Sequence, residues 1–264
     1  MNNQKVESKI NLTPITAYLT GVIIGDGHLS NSVKSKKNDL SKDYRINLDI
    51  SDKEYLICIF KLINSIIKTK TTPRKPLQRG NRIPRLNLQI RNKELFNFLN
   101  KVMEIPKGAK SSIVFVPSKI KNSVEIIKKW FLAGYFDTDG GFRGNTLGFT
   151  TASKRLHEDT SKLLDEFRIL YLTEKWVNKN YDKIFYGIKI RKVEIDKFLS
   201  LLPLQNKEKL IRIYNRFNCG SAGVAKRDRL RLIRYYKIPV SLVLTQVRND
   251  LLRKARLKHA MRNL

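Results

Sequence analysis

Two aspartates that end apolar segments are the residues best suited to do chemistry. Asp26 follows the apolar part of YLTGVIIGDGHLS (18–30), and Asp139 follows that of WFLAGYFDTDGGF (130–142). A carboxylate at a helix C-terminus faces the negative end of the helix dipole, and two such carboxylates close together repel each other. A divalent cation between them would remove this repulsion, and Mg²⁺ suits the pair because it takes few protein ligands and keeps several waters. Water bound to such a metal is a better nucleophile, and the metal can stabilise the leaving oxygen of a phosphodiester.

The alternative for each Asp-Gly pair is an ordinary C-terminal turn in which the glycine supplies a positive φ. Because the Asp-Gly pair recurs at matching places in both segments, the metal site is favoured over the turn. The small residues Gly21 and Gly25 in the first segment, and Ala133, Gly134 and Thr138 in the second, predict two helices whose backbones pack closely. We therefore expect the two aspartates to be brought side by side.

The elements that position these aspartates recur within the chain. LNLQIRNKELFNFL (86–99) and YGIKIRKVEIDKFL (186–199) share Ile-Arg, Glu and Phe-Leu at matching places. Each copy indicates an apolar helix ending in Asp-Gly, two strands, a second helix (53–67 and 153–169), two further strands and a final helix. Two copies of one supersecondary unit predict an α+β fold rather than an alternating α/β one.

The predicted architecture has two repeated αββαββα units, with two central packed helices. The first unit covers residues 12–105, a linker covers 106–122, and the second unit covers 123–216. A basic helical extension at 217–264 completes the chain, and we expect it either to pack on the core or to contact additional phosphates.

The charge of the chain points to a polyanionic partner. Among 264 residues, 53 Lys and Arg oppose 23 Asp and Glu, which gives a formal net charge of +30. Nucleic acid fits this charge better than a membrane, because no apolar run approaches the roughly 18 residues of a spanning helix. The cysteines and histidines lack the spacing of a zinc site or a disulfide framework. The N-terminal residues lack the apolar stretch of a signal peptide, so we expect an intracellular protein of the cytoplasm or an organellar matrix.

Alternation along the predicted strands places polar side chains on one face and apolar ones on the other. A solvated sheet face explains the alternation, but the choice of Arg, Asn, Gln, Lys and Ser is typical of base readout in the major groove. The predicted DNA contacts on the strands are Arg45, Asn47, Asp49, Ser51, Arg85, Asn87, Gln89 and Lys189. Those of the loop 73–82 are Lys75, Gln78, Arg79 and Arg82, and the set is completed by Arg143, Thr150 and Lys175.

Both acidic segments resemble the LAGLIDADG motif of homing endonucleases. LAGYFDTDG (132–140) matches this motif at six of nine positions, while LTGVIIGDG (19–27) matches it more loosely. The resemblance extends to about residue 215, and the doubled motif is similar to that of the single-chain, pseudo-symmetric members. It implies a saddle of strands over the DNA major groove and metal-dependent cleavage of both strands across the minor groove. Mg²⁺ is the expected cofactor, with Mn²⁺ and other divalent cations as alternatives.

The resemblance also implies roles for individual residues. The family's catalytic acid falls on Asp26 and Asp139, and the preceding residue, Gly25 or Thr138, would contribute a backbone oxygen to the metal. A late basic residue that assists catalysis corresponds to Arg91 and Arg191. The acid usually found at the sixth motif position is Asp137, whereas the first copy departs from the pattern with Ile24. Family positions that hold a polar group beside the site are Ser51 and Ala152 here, and this difference predicts unequal cleavage rates for the two strands.

Three functions fit these observations. The first is a monomeric, site-specific endonuclease of double-stranded DNA that acts in intron homing. The second is an RNA maturase that binds intron RNA, a role that members of this family also take. The third is a DNA-binding protein that keeps the fold and has lost catalysis, although the presence of both aspartates argues against it.

Overall fold

The computed structural model describes residues 9–36, 39–67, 73–77, 85–179 and 182–218. The first series of elements is α1 (Pro14–Asp26), β1 (Gly27–Lys36), β2 (Asp39–Ile50), α2 (Lys53–Ile66), β3 (Pro73–Leu77), β4 (Arg85–Ile90) and α3 (Lys93–Asn97), which continues as a π-helical turn (Phe98–Val102). A short helix, α4 (Ser118–Lys121), precedes the second series. That series is α5 (Glu125–Asp139), β5 (Gly140–Arg143), β6 (Thr146–Thr151), α6 (Lys154–Glu166), β7 (Tyr171–Asn178), β8 (Lys183–Ile190) and, after a 3₁₀ turn (Lys192–Glu194), α7 (Ile195–Leu201).

The strands form two antiparallel sheets with the same topology. The first sheet has the order β1-β2-β4-β3, and the second has the order β5-β6-β8-β7. Corresponding strands pair in corresponding registers: Asp49 of β2 lies opposite Asn87 of β4, and Thr150 of β6 lies opposite Gly187 of β8. The predicted α+β fold class and the repeated unit are therefore confirmed.

Residues up to Gln205 group into one compact unit, and a second unit begins at Asn206. In the second unit the described element is α8 (Lys207–Asn218), which carries Glu208 in its first turn. The four predicted ranges remain a prediction, and the predicted basic extension lies outside the described residues from residue 219 onward.

The core of the first sheet follows from strict alternation along its inner strands. Ile46 and Leu48 of β2 and Leu88 and Ile90 of β4 are fully buried, whereas the polar residues between them face away from this core. The covering helix, α2, begins where the Asp52 carboxylate accepts hydrogen bonds from two N–H groups of the first turn. Such a cap satisfies N–H groups that the helix leaves unpaired, and so fixes the point at which the chain turns back over the sheet.

The core of the second sheet is built from aromatic rings. Phe149 of β6 lies 5.1 Å from Tyr135 and 5.4 Å from Phe136, both on α5, and Phe136 in turn lies 5.1 Å from Phe198 on α7. These rings bury large apolar areas and lock α5 onto its sheet. The covering helix α6 is capped by Ser153, the counterpart of Asp52 in the first series.

Across the described residues, no helix combines the length and the apolar character that crossing a lipid bilayer requires.

Candidate active site and nucleic-acid interface

The helices α1 and α5 cross in direct backbone contact. A Cβ atom on Gly21 would lie 2.2 Å from the carbonyl oxygen of Phe131 and 2.6 Å from the nitrogen of Tyr135. A Cβ atom on Gly134 would lie 2.0 Å from the carbonyl oxygen of Tyr18. Real Cβ atoms essentially never approach other atoms closer than 3.0 Å, so only glycine fits at these two positions. The small-residue pattern therefore has the packing role that the sequence predicted.

The same crossing brings the two C-terminal helix ends together. A Cβ atom on Gly25 would lie 2.1 Å from Oγ1 of Thr138 and 3.3 Å from Cγ of Asp139. The last turn of α1, which ends at Asp26, therefore touches the last turn of α5, which ends at Asp139. Asp26 is half-buried and Asp139 is exposed, so this end of the helix pair is open to solvent.

The glycines after both aspartates are explained by close approach rather than by backbone strain. Gly27 has φ −87° and Gly140 has φ −74°, and both are extended. A Cβ atom would lie 2.6 Å from Cα of Ile23 at the first position and 2.1 Å from Cδ2 of Phe136 at the second. The alternative of a turn with positive φ is therefore wrong for both Asp-Gly pairs. Each glycine lets the chain pass directly from helix into strand.

A lysine from the segment between the two series reaches the end of α1. Lys110 donates hydrogen bonds to the carbonyl oxygens of Ile24 and Gly25, the latter at 3.0 Å. Its approach is set by Gly108, which has φ +73° and donates its N–H to the carbonyl of Leu29 in β1 at 2.9 Å. Helix C-terminal carbonyls lack intrahelical partners, so a cation there satisfies them and opposes the negative end of the dipole.

Lys110 is also electrostatically coupled to both aspartates. Burial lowers the pKa of the Lys110 ammonium, while the carboxylates of Asp139 and Asp26 act in the opposite direction. Sequence reasoning missed this residue, because Lys110 belongs to neither acidic segment and is one of many lysines. The signal that could have found it is the Pro-Lys-Gly turn just before it, which directs the chain back toward β1.

The oxygen atoms at the helix ends suit a hard divalent cation. Two carboxylates, with backbone oxygens nearby, match the few protein ligands that Mg²⁺ accepts. Zinc sites need three or four His, Cys or acidic ligands, and the described part of the chain contains no group of three such side chains placed for a metal. The carbonyl of Gly25 accepts a hydrogen bond from Lys110, so of the predicted ligands the carboxylates of Asp26 and Asp139 fit best.

A buried carboxylate two residues before Asp139 holds the helix pair together. Asp137 is 2% exposed, and its Oδ2 accepts hydrogen bonds from the Tyr18 hydroxyl and from the backbone N–H of Gln205, each at 2.7 Å. The hydroxyl of Tyr18 also lies 3.0 Å from that of Tyr55 on α2. Burial and the Asp137 charge raise the pKa of Tyr18, so its hydroxyl keeps the proton it donates. Since α1 has Ile24 at the matching place, only one such brace exists in the helix pair.

The open face of the first sheet carries cross-strand polar pairs. Gln89 donates from Nε2 to Oδ1 of Asn47 at 2.9 Å, and Asn87 donates from Nδ2 to Oδ1 of Asp49 at 2.8 Å. All four are predicted DNA contacts, and the register places them in two adjacent rows. The structure therefore brings them together on one surface, with amide and carboxylate groups directed out of the sheet.

Two predicted basic residues share one acid further along this face. Asp43 lies 2.6 Å from Arg45 and 3.5 Å from Arg91. Arg45 lies opposite Ser30 and Asp43 opposite Ser32, whereas the helix end lies beside the Gly27–Leu48 row. Arg91 is therefore directed along the strand away from the aspartate pair, and its predicted catalytic role stays a prediction.

The open face of the second sheet carries a charged cluster. Glu174 of β7 accepts a hydrogen bond from Arg143 of β5 and lies 2.6 Å from Nζ of Lys189 on β8. Thr150 of β6 shares this face, because it lies opposite Gly187, which lies opposite Glu174. Lys175 follows Glu174 and so projects from the other face. Among these predicted contacts, the structure brings together Arg143, Thr150 and Lys189, and it adds Glu174, which sequence reasoning missed.

The remaining predicted residues are dispersed. Ser51 is exposed just after β2, and Arg191 is exposed just after β8, where its N–H donates to the carbonyl of Leu170 at 2.9 Å. Lys75 lies on β3 and Arg85 at the start of β4. The residues Gln78, Arg79 and Arg82 lie outside the described residues. The catalytic role of Arg191 and the DNA contacts of the other residues stay predictions.

Comparisons with known proteins agree with this geometry. Residues 127–203 match the family model of the LAGLIDADG-like domain. Among curated proteins, the chain is 27% identical over 195 residues to the replication factor C small subunit of Methanocaldococcus jannaschii. That match covers 73% of this chain and 10% of the relative, so the chain spans about a tenth of that relative's length.

Solved structures of the homing endonuclease I-DmoI are similar in fold. The I-DmoI complex with DNA and Ca has a TM-score of 0.56 at 20% identity, covering 77% of this chain and 99% of that one. The complex with DNA and Mn has a TM-score of 0.55 at 20% identity, covering 73% and 97%. The chain therefore has the fold of the LAGLIDADG homing endonucleases, with two LAGLIDADG-like units in a single polypeptide.

Proposed function

We propose that this protein is a site-specific endonuclease of double-stranded DNA that acts in intron homing. Asp26 and Asp139 would hold Mg²⁺ or Mn²⁺, and both strands would be hydrolysed across the minor groove of a long, asymmetric target. The observation that carries the proposal is the contact of the two helix ends, where a Cβ on Gly25 would lie 3.3 Å from Cγ of Asp139. I-DmoI has been crystallised with DNA and Mn and with DNA and Ca, which supports both the substrate and the class of cofactor.

Charge supports the binding half of the proposal. A net charge of +30 attracts a polyphosphate backbone, and most of that attraction is independent of sequence. Sequence readout needs hydrogen-bonding groups at base edges, and both open sheet faces carry them. The aspartate pair lies where β1 and β5 leave the helix ends, so a duplex lying along both faces would pass over it.

Each residue of the site has a distinct role in the proposal. The carboxylates of Asp26 and Asp139 bind the cation, which when present would polarise a phosphodiester oxygen and activate water. Lys110, held by the carbonyls of Ile24 and Gly25, supplies a fixed positive charge beside both acids. A preorganised cation stabilises the negative charge that develops on the phosphate oxygens, because the cation need not move during the reaction. Asp137 keeps the helix ends in register by binding Tyr18 across the crossing.

The test is a cleavage assay on two substrates. The first is a supercoiled plasmid that carries the intronless allele of the gene that contains this coding sequence, and the second is a plasmid library of random inserts. We expect cleavage with Mg²⁺, none with EDTA, and a loss of at least about 100-fold for Asp26→Asn or Asp139→Asn, since each substitution removes a charged metal ligand. Glu125→Gln is the matched control, because Glu125 lies in the first turn of α5, at the opposite end from Asp139. Cleavage that persists in both Asp→Asn variants would refute the assignment of the site.

The proposal also covers stoichiometry and partner. Both carboxylates belong to one chain, so one copy per target suffices, and we expect a 1:1 complex by light scattering. Binding to intron RNA with no cleavage of any duplex DNA would instead favour the maturase alternative. Equal cleavage rates of the two strands would contradict the expected asymmetry, which rests on the difference between Ser51 and Ala152.

A further inference from the structure

We propose that Arg143 reads a guanine in the major groove of the target and that Glu174 is its positioning residue. This inference rests on the proposed function, because it takes the open sheet faces as the DNA-contacting surface. It goes further by assigning one base identity to one residue of the second sheet.

Two glycines form a floor along which the Arg143 side chain lies. Arg143 starts on β5, an edge strand, and its Cγ would lie 3.1 Å from a Cβ on Gly148 of β6. Its Nη2 would lie 3.0 Å from a Cβ on Gly187 of β8. The side chain therefore runs across β6 and ends above β8, in the interior of the open face rather than at its rim. A larger residue at either glycine would lift the guanidinium from the sheet.

The guanidinium is fixed from two further directions. Oε1 of Glu174 accepts a hydrogen bond from Nη2 of Arg143, while Oε2 of Glu174 lies 2.6 Å from Nζ of Lys189. The Arg143 guanidinium carbon lies 4.7 Å from the centre of the Trp176 ring, which is itself stacked on Phe185 at 6.0 Å. Hydrogen bonds from Lys189 and Arg143 lower the pKa of the Glu174 carboxyl, so it stays ionised at neutral pH. An arginine held by a carboxylate and an aromatic ring has lost most of its rotamer freedom before DNA arrives.

This fixed position suits a base edge better than a phosphate. The carboxylate of Glu174 would repel a phosphate brought next to Arg143, whereas a base edge carries no net charge. The side chains of Arg143 and Glu174 are 24% and 30% exposed, so the guanidinium remains reachable from the groove. Guanine presents two acceptors, N7 and O6, and matches paired guanidinium donors, while adenine turns an N6 donor toward them. Lys189, bound to the other oxygen of Glu174, adds a second donor to the same charged cluster.

The described side chains of the first sheet form no equivalent cluster. The places of Gly148 and Gly187 are taken there by Asn47 and Asn87, whose side chains form cross-strand pairs and fill the floor. The place of Arg143 on β5 corresponds to Ser30 on β1. We therefore expect the guanine to lie in only one half of the target.

The experiment is selection of bound duplexes from a DNA pool with a randomised central region, using the full chain and sequencing the bound fraction. The unsubstituted protein should enrich guanine at one position in one half-site. Arg143→Lys keeps the charge but loses the planar fork, and should lower that preference by about 5- to 150-fold with other positions retained, the range of one bidentate base contact. Glu174→Gln should weaken the same preference and leave the salt dependence of binding unchanged. The matched control is Lys162→Met on α6, a helix that covers the other face of this sheet.

Each other outcome has a defined meaning. A uniform loss of affinity for Arg143→Lys, with a shallower salt dependence, would mark a phosphate contact and overturn the assignment. An unchanged guanine preference in both variants would overturn it as well, provided that circular dichroism shows native folding. Absence of any selection by the unsubstituted chain would overturn the proposed function itself, and the assignment with it.

Discussion

The crossing of α1 and α5 allows a quantitative prediction for Gly134→Ala. The added Cβ would lie 2.0 Å from the carbonyl oxygen of Tyr18 and 3.1 Å from the nitrogen of Val22. To reach the 3.0 Å that real Cβ atoms require, the helices must separate by roughly 1 Å at this point. The obstacle is backbone, so no side-chain rotation can relieve it.

Two effects oppose each other in this substitution. Overpacking a tight contact costs typically about 1–3 kcal/mol, and a backbone clash belongs at the upper end of that range. Replacing glycine by alanine inside a helix returns about 1 kcal/mol through backbone entropy. We therefore expect a net loss of about 2 kcal/mol in the free energy of unfolding, which corresponds to a fall of about 4–8 °C in Tm for a unit of this size.

The assay is urea unfolding followed by circular dichroism, with Gly141→Ala as the control. A Cβ on Gly141 meets nothing within 4 Å, so this variant should stay within about 0.5 kcal/mol of the parent. Gly21→Ala should cost as much as Gly134→Ala, and the double variant should cost less than the two losses added, because one separation relieves both clashes. A Gly134→Ala protein as stable as the parent, or strictly additive losses, would refute direct backbone contact at the crossing.

Three further predictions follow from buried polar contacts. Asp137→Asn should lower the free energy of unfolding by about 1–3 kcal/mol in urea titration, because Tyr18 and Gln205 both donate to one charged oxygen, and Tyr18→Phe should reproduce part of that loss. Lys121→Met should lower the free energy of unfolding by about 1–2 kcal/mol in the same assay. This is less than for a fully buried ion pair, since the Lys121 side chain is 30% exposed while that of its partner Asp159 is 6% exposed. An unchanged stability would show that the hydrogen bond from the N–H of Val116 is enough to stabilise the Asp159 carboxylate. Burial lowers the pKa of His157, so the folded state prefers the neutral ring, and the stability that this preference contributes is present above pH ~6.5 and lost as pH falls below it. His157→Gln should therefore make the urea midpoint depend less on pH between pH 7.5 and 5. An equally steep dependence in the variant would exclude His157 as the cause.

Local sequence patterns predicted most of the fold. Strand alternation at Ile46, Leu48, Leu88 and Ile90 marked the buried face of the first sheet, and the repeat predicted that the second sheet would have the same topology. Both signals come from residues that are close together in the sequence, and hydrophobic periodicity is informative over such short segments. The helix crossing was also predictable, because close backbone approach restricts the residue type to glycine.

The missed residues act through contacts that have no local signature. Lys110 lies 84 positions after Asp26 and reaches the end of α1 because Gly108 turns the chain at φ +73°. Glu174 has no signal in the sequence as a site residue, because an acid contradicts the basic character expected of a DNA-binding face, yet it forms ion pairs with two of the predicted basic residues. The wrong alternative of a positive-φ glycine after each helix arose because sequence does not distinguish a strained backbone from a crowded one.

The segment between the two series of elements is anchored at both ends. On one side, Gly108 and Lys110 bind β1 and the end of α1. On the other, the carbonyl of Val114 accepts from the Ser153 hydroxyl at 2.5 Å, and Arg155 lies 3.7 Å from the ring centre of Phe115. An engineer who divides this protein into complementing fragments should therefore cut before Gly108, so that the C-terminal piece carries the lysine and both anchors. Reassembly would then deliver the cation and close the interface in one event, so the proposed site would be complete only when both fragments are expressed.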